Sequence, residues 1–193
     1  MEITTEVIKQ LRDKTGVSVM QCKKALEEAG GDLAQAEVIL KKRSSAAAEK
    51  KADRELGAGW IGTYTHEGTI GAMAQLSCET DFVAKNPEFA DLAREIAMQV
   101  AATAPKYVSH EQIPADARAA AVAVFEKEVE GKPEDMKRKI IEGKLASYFQ
   151  DQVLLDQPFI KDEGRTIRGL LNEATQKFGE RVEVTSFYRL STR

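Results

Sequence analysis

The 193-residue chain is short of several things, and each shortage removes a class of function. Two cysteines, Cys22 and Cys78, do not make a disulfide framework. No charge-free apolar run is long enough to span a bilayer, so no membrane partner is expected. The start, Met1-Glu2-Ile3-Thr4-Thr5-Glu6, has neither the basic residues nor the apolar stretch of a signal peptide. The expected compartment is the reducing cytoplasm. Gly57-Ala58-Gly59 and Gly68-Thr69-Ile70-Gly71 lack the Lys-Ser/Thr of a phosphate loop. Two histidines and two cysteines, far apart in sequence, make a poor metal site. No cofactor or metal is expected. A net charge of −3 exerts no global pull toward nucleic acid or anionic lipid. The basic residues Lys41, Lys42, Arg43, Lys50 and Lys51 have no aromatics among them, so direct nucleic-acid contact is not expected either.

What is present reads as a globular α+β protein, with 42% hydrophobic and 31% charged residues. Residues 1–40 predict a compact three-helix module of the ubiquitin-associated type. Thr4 or Thr5 caps the first helix, Ser18 the second and Asp32 the third, while Gly16 and Gly30-Gly31 end the first two. Ile3, Val7 and Leu11 of the first helix, Cys22, Ala25, Leu26 and Ala29 of the second, and Leu33, Ala36, Ile39 and Leu40 of the third fall on inward faces. From Lys41 the apolar stripe disappears while helix propensity stays high, which predicts an exposed, part-helical linker over residues 41–56. Residues 57–193 form the expected core domain. Trp60–His66 and Thr69–Ser77 alternate as a β-hairpin joined at Glu67-Gly68. Asn86-Pro87 opens a helix with the stripe Phe89, Leu92, Ala93, Ile96, Ala97 and Val100. A helical hairpin follows at about 115–155, turning at Gly131-Lys132-Pro133. Its inner faces are marked by Val122, Phe125 and Val129, then by Met136, Ile140, Leu145, Tyr148 and Phe149. A last helix begins after Thr166, and a strand over Arg181–Ser191 completes a small three-stranded antiparallel sheet with Val182, Val184, Tyr188 and Leu190 alternating.

Three features carry functional content. Cys78 and His66 could pair as a thiol nucleophile and its base, but a cysteine ending a core strand reads more simply as a small hydrophobe. Val19-Met20, at a helix start, is equally core or contact surface. Asp81-Phe82 lies where the hairpin gives way to the Asn86-capped helix. Pattern alone favours Phe82 as a plug between sheet and helix; the alternative is a ring offered to a partner.

The same residues carry a resemblance that runs nearly end to end. Thr15-Gly16 with Met20-Gln21-Cys22-Lys23-Lys24-Ala25-Leu26 resembles one signature of the elongation factor Ts family. Cys78-Glu79-Thr80-Asp81-Phe82-Val83-Ala84-Lys85-Asn86 resembles the other. Tyr64–Gly71, Gly131-Lys132-Pro133 and Gln157-Pro158-Phe159 also fit. The resemblance implies a guanine nucleotide exchange factor, not an enzyme, whose partner is elongation factor Tu in its GDP-bound and nucleotide-free forms. It implies that the three-helix module docks on the nucleotide-binding domain of Tu around Val19, Met20 and Lys23. It implies that Thr80, Asp81, Phe82 and Val83 reach the magnesium-phosphate site, with Phe82 as a wedge and Asp81 disturbing the groups that hold the ion. His66 and Gly71 would add contacts, and the helical hairpin another. Long family members carry two related sheet-and-helix halves; this chain has one. That implies a short form acting as a homodimer, and the Met1 start fits a bacterial cytoplasm. Two other readings stand beside it: a ubiquitin-associated-type adaptor without exchange activity, and the thiol enzyme.

Overall fold

The computed structural model describes residues 3–131 and 133–192. Lys132, the middle of the expected Gly131-Lys132-Pro133 turn, lies outside them, as do Met1 and Glu2 of the N-terminal stretch. The architecture is α+β, with a three-helix N-terminal region and a three-stranded antiparallel sheet.

Helices α1 (Thr5–Thr15), α2 (Val19–Glu28) and α3 (Leu33–Glu49) begin where their capping residues predict. The hydroxyls of Thr4 and Ser18 accept the amides of Val7 and Gln21, and Asp32 accepts that of Gln35. Each side chain satisfies an N–H that the first turn leaves without an intrahelical partner. Leu11, Val17, Cys22, Ala25, Leu26, Ala36 and Leu40 bury together as one cluster. α3 continues past this core through Lys41-Lys42-Arg43 and the alanines to Glu49. Within that extension Ser44 is buried, its hydroxyl turned back to the carbonyl of Lys41.

Strands β1 (Ala58–His66) and β2 (Ile70–Cys78) form the hairpin, and β5 (Glu183–Ser191) joins it to give the order β1-β2-β5. The turn has positive φ at both Glu67 and Gly68, the primed geometry that suits the twist of a tight hairpin. In the central strand Ala72, Ala74 and Leu76 face inward. Glycine is required at Gly59, where a Cβ would meet the carbonyl oxygen of Leu76 at 2.6 Å. A short helix α4 (Asp81–Ala84) leads into α5 (Pro87–Thr103), where Asn86 Oδ1 accepts the amide of Glu88. Phe89, Ala93, Ile96, Ala97 and Val100 of α5 are buried.

Helices α6 (Ala115–Glu128) and α7 (Glu134–Gln150) form the helical hairpin. Their seam differs from the expected one. Ala121, Val129 and Phe149 are buried, but Met136 and Tyr148 are exposed. Two helices alone bury one narrow strip each, and the rest of an apolar stripe stays wet. Tyr148 instead sets its ring edge-on to Phe125 and Phe149. A second, unexpected pairing adds β3 (Pro158–Phe159) and β4 (Asp162–Thr166), antiparallel with an irregular register. This ribbon is fixed by the buried amide of Gln99, which bonds Gln157, the Pro158 carbonyl and the Ile160 amide at 3.1, 3.1 and 2.9 Å. Helix α8 (Ile167–Phe178) then leads to β5.

The described residues fall into two compact units. One lies within Met1–Ile61, Gln75–Ala93 and Arg168–Val184, the other within Gly62–Ala74, Arg94–Ile167 and Thr185–Arg193. In the first, α8 lies on the N-terminal helices. Gln176 donates to the side chain of Gln21, Asn172 to Ser45, and the Lys177 chain passes over Gly16 to pair with Glu88. Gln21 therefore turns its side chain to α8. Among the described residues no helix is long and apolar enough to cross a membrane.

Candidate functional site

The stretch from Cys78 to Lys85 turns from the end of β2 into α4, and its backbone is tied down on the α8–β5 connection. Glu180 Oε2 accepts the amides of Glu79 and Thr80 at 3.1 and 2.9 Å, and Glu180 Oε1 accepts the Thr80 hydroxyl at 2.6 Å. In return the Glu79 carboxylate accepts the Arg181 amide at 2.7 Å and the Arg54 guanidinium at 3.2 Å. Arg181 in turn donates to the Arg54 carbonyl and to Glu183. Val83 and Ala84 anchor α4 from below.

On this frame Phe82 points outward, with 84% of its surface exposed. The sequence pattern favoured a core plug; the turn instead buries its neighbour Val83 and leaves the larger ring in solvent. An exposed phenylalanine costs hydrophobic free energy that a buried one would recover, which makes the position a candidate contact rather than a structural one. Asp81 is also exposed and pairs with Lys85 at 2.6 Å. The hydrogen bond and charge of Lys85 hold the Asp81 carboxyl below the usual aspartate range. It therefore stays anionic at neutral pH beside an apolar ring.

The N-terminal candidates share that exposure. Val19 and Met20 open α2, and Met20 is 64% exposed, so the choice between core and surface falls on the surface side. Lys23 is one turn on and pairs only loosely with Glu27, at 3.8 Å. Val19, Met20 and Lys23 lie in the same compact unit as Thr80–Val83. His66 and Gly71 belong to the other unit, at the tip of the β1–β2 hairpin. His66 is exposed and its Nδ1 is 3.1 Å from the hydroxyl of Tyr64, with Arg94 over the Tyr64 ring. Gly71 has open space where a side chain would stand.

The family model described as elongation factor TS matches residues 46–192. Elongation factor Ts of Thermodesulfovibrio yellowstonii is 46% identical over 190 residues, covering 98% of this chain and 96% of that protein. The chain belongs to the elongation factor Ts family. Elongation factor Ts of Coprothermobacter proteolyticus is 44% identical over 192 residues, 98% of each chain, and that of Thermotoga petrophila is 44% identical over 190. These matches extend the family likeness across the N-terminal helices as well as the core.

Sequence reasoning missed part of what holds the turn. Glu180, Arg181 and Arg54 have no part in the sequence reading of the turn, because Glu79, to which each bonds, is remote in sequence from all three. The Gly179 that ends α8, followed at once by Glu180-Arg181, was the available signal. The thiol reading loses its basis: Cys78 is fully buried, burial pushes its thiol pKa up, and its Sγ donates to the Thr80 carbonyl at 3.2 Å. Cys22 is likewise buried with a raised pKa. A thiol that resists ionisation is a poor nucleophile.

The clamp has a pH signature. The Arg181 amide, and after it Arg54, hold the Glu79 carboxyl below its ordinary range despite an opposing effect of burial. A depressed folded pKa contributes stability that is fully present above the unfolded value of about 4.3, and that is lost as pH falls from there through the folded value. The melting temperature of the wild type should therefore fall more steeply below that pH than that of Glu79→Gln. Parallel acid titrations of the two proteins would exclude the linkage.

Proposed function

We propose that this chain is a guanine nucleotide exchange factor for elongation factor Tu in translation elongation, working in the cytoplasm. The observation that carries the reading is Phe82, a large ring held out into solvent on a turn whose backbone is clamped. In this mechanism residues 1–40 dock on the nucleotide-binding domain of Tu through Val19, Met20 and Lys23. The Thr80–Val83 turn enters near the magnesium-phosphate site. Phe82 wedges between elements of Tu, and the anionic Asp81 competes for groups that hold the magnesium. His66, Gly71 and the α6–α7 hairpin supply further contacts.

The thermodynamics of such a factor suit what this chain offers. It must bind empty Tu better than GDP-loaded Tu, and by linkage it weakens GDP by the factor with which GDP weakens it. A ring that fits only after two elements of the partner separate supplies that difference. The factor then stays bound until GTP enters. The deciding experiment is release of a fluorescent GDP analogue from purified elongation factor Tu, with and without this protein. Acceleration is expected; an unchanged release rate would leave the adaptor reading, in which a three-helix module binds some other partner without exchange.

The reading includes a homodimer, because one sheet-and-helix half is present where long family members carry two. The outer strand β5 leaves Tyr188 and Leu190 exposed at 69% and 77%, and Met73 of β2 is exposed as well. Arg189, between the two, turns the other way to the Ala101 carbonyl. An open edge strand with large apolar side chains is a surface that natural sheets cover. Light scattering at micromolar concentration should give twice the chain mass, and Tyr188→Asp with Leu190→Asp should give the chain mass. A wild-type monomer with full exchange activity would rule the dimer out.

A further inference from the structure

We propose that Glu180 is a positioning residue for exchange: it sets the direction in which the Phe82 ring projects. The inference rests on the exchange reading above and adds a residue to which that reading gives no part.

Phe82 cannot fix its own direction. With most of its surface in solvent, the ring has little protein to pack against, so its aim is inherited from the backbone. That backbone starts at Thr80, the N-cap of α4, which is extended at φ −128 and ψ 156. An N-cap threonine ordinarily spends its hydroxyl on an amide of its own helix. Here the Thr80 hydroxyl makes no such bond and donates to Glu180 instead. The amides of Glu79 and Thr80 go to the same carboxylate. Three donors just ahead of the ring thus converge on one side chain 100 residues further along the chain from Thr80.

Two elements restrict where that carboxylate can stand. Glu180 follows Gly179, which takes φ +76 as α8 ends. It precedes Arg181, whose amide is taken by Glu79. The bonds therefore run both ways, Glu180 to the turn and Glu79 to the Glu180–Arg181 segment. Charge-assisted bonds of this kind are the stronger class of hydrogen bond, and a pair running in both directions fixes orientation as well as distance. Val83 and Ala84 hold α4 to the core from behind, so losing Glu180 would leave the helix attached but free to pivot at its start.

The test separates reach from charge. Glu180→Asp keeps the charge but is one methylene too short; Glu180→Gln loses the charge but keeps an acceptor for the amides and a donor for the Thr80 oxygen. GDP release from elongation factor Tu is measured over a range of factor concentrations, and the plateau rate is read apart from the half-saturating concentration. Glu180→Asp should lower the plateau about tenfold, the effect of losing one charge-assisted bond, while Glu180→Gln, which keeps the three contacts in weaker neutral form, should lower it by less. The half-saturating concentration should move little in either, since the Val19–Lys23 face is untouched. In the free protein, amide hydrogen exchange at Thr80 should quicken more in Glu180→Asp than in Glu180→Gln. A wild-type plateau for Glu180→Asp overturns the assignment, as does a Glu180→Gln as poor as Glu180→Asp. If wild-type protein fails to release GDP, the exchange reading falls and this inference with it; an active wild type beside an unaffected Glu180→Asp removes the inference alone.

Discussion

Phe82→Ala is expected to slow GDP release from elongation factor Tu by well over tenfold and to leave the melting temperature close to wild type. The two halves of this result rest on one number, the 84% exposure of the ring. A side chain with so little buried surface contributes little to folding, and exposed substitutions usually stay within about 0.5 kcal/mol. An aromatic anchor that becomes buried in a partner commonly contributes about 2 kcal/mol or more on truncation, and each 1.4 kcal/mol or so is a factor of ten. Stopped-flow release of a fluorescent GDP analogue measures the first half, and a thermal melt the second. A well-folded variant that releases GDP at the wild-type rate would remove the wedge from the mechanism. A variant that loses activity together with its fold would return Phe82 to the core.

Phe89→Ala should give the opposite result. The same residue type stands at the start of α5, fully buried, with its ring edge-on to Phe178 of α8 at 5.7 Å between centroids. Truncation removes a large apolar group and leaves a cavity that α5 and α8 cannot collapse around without moving. Such changes cost about 3–5 kcal/mol, which for a chain of this size lowers the melting temperature by roughly 6–20 °C. Below that temperature the turn and the Val19–Lys23 face are intact, so exchange per folded molecule should change far less than for Phe82→Ala. Calorimetry checks the first claim and the release assay at low temperature the second. A melting temperature within a degree or two of wild type would mean that Phe89 is not the keystone of the α5–α8 contact.

These two phenylalanines also mark how far the sequence could be read. Phe89 was legible because it lies in a long helix, where a repeat of 3.6 residues reports which face is buried. Phe82 was not, because a four-residue helix is too short to have a period. The helix starts at Thr4, Ser18, Asp32 and Asn86 were legible for a local reason: a cap is a bond between residues two or three apart. The β1–β2 hairpin and its β5 neighbour followed from alternation. The β3–β4 ribbon did not, since Asp162-Glu163-Gly164-Arg165-Thr166 carries no apolar alternation and is held through the Gln99 amide from another element. The Glu79–Glu180 exchange of bonds was hidden for the same reason. The candidate site residues came from the resemblance to the family, and what the structure adds is that Met20 and Phe82 are exposed.

One feature of α8 has a mechanical consequence. Its Gln176 bonds Gln21 of the N-terminal helices, its Lys177 chain lies close over Gly16, and the chain just beyond its end holds Thr80. The helix is therefore a jig that carries two tools at a set spacing. In the proposed mechanism, once α2 is seated on its partner, the ring need not search for its slot. A flexible tether would have diluted it over all the volume within reach, whereas a rigid one delivers it at high effective concentration to one place, or not at all. Tolerance is what such a device gives up. An error in the seat of α8 moves the wedge by a similar distance, so substitutions under Gln21 or Lys177 should cost exchange without touching the partner.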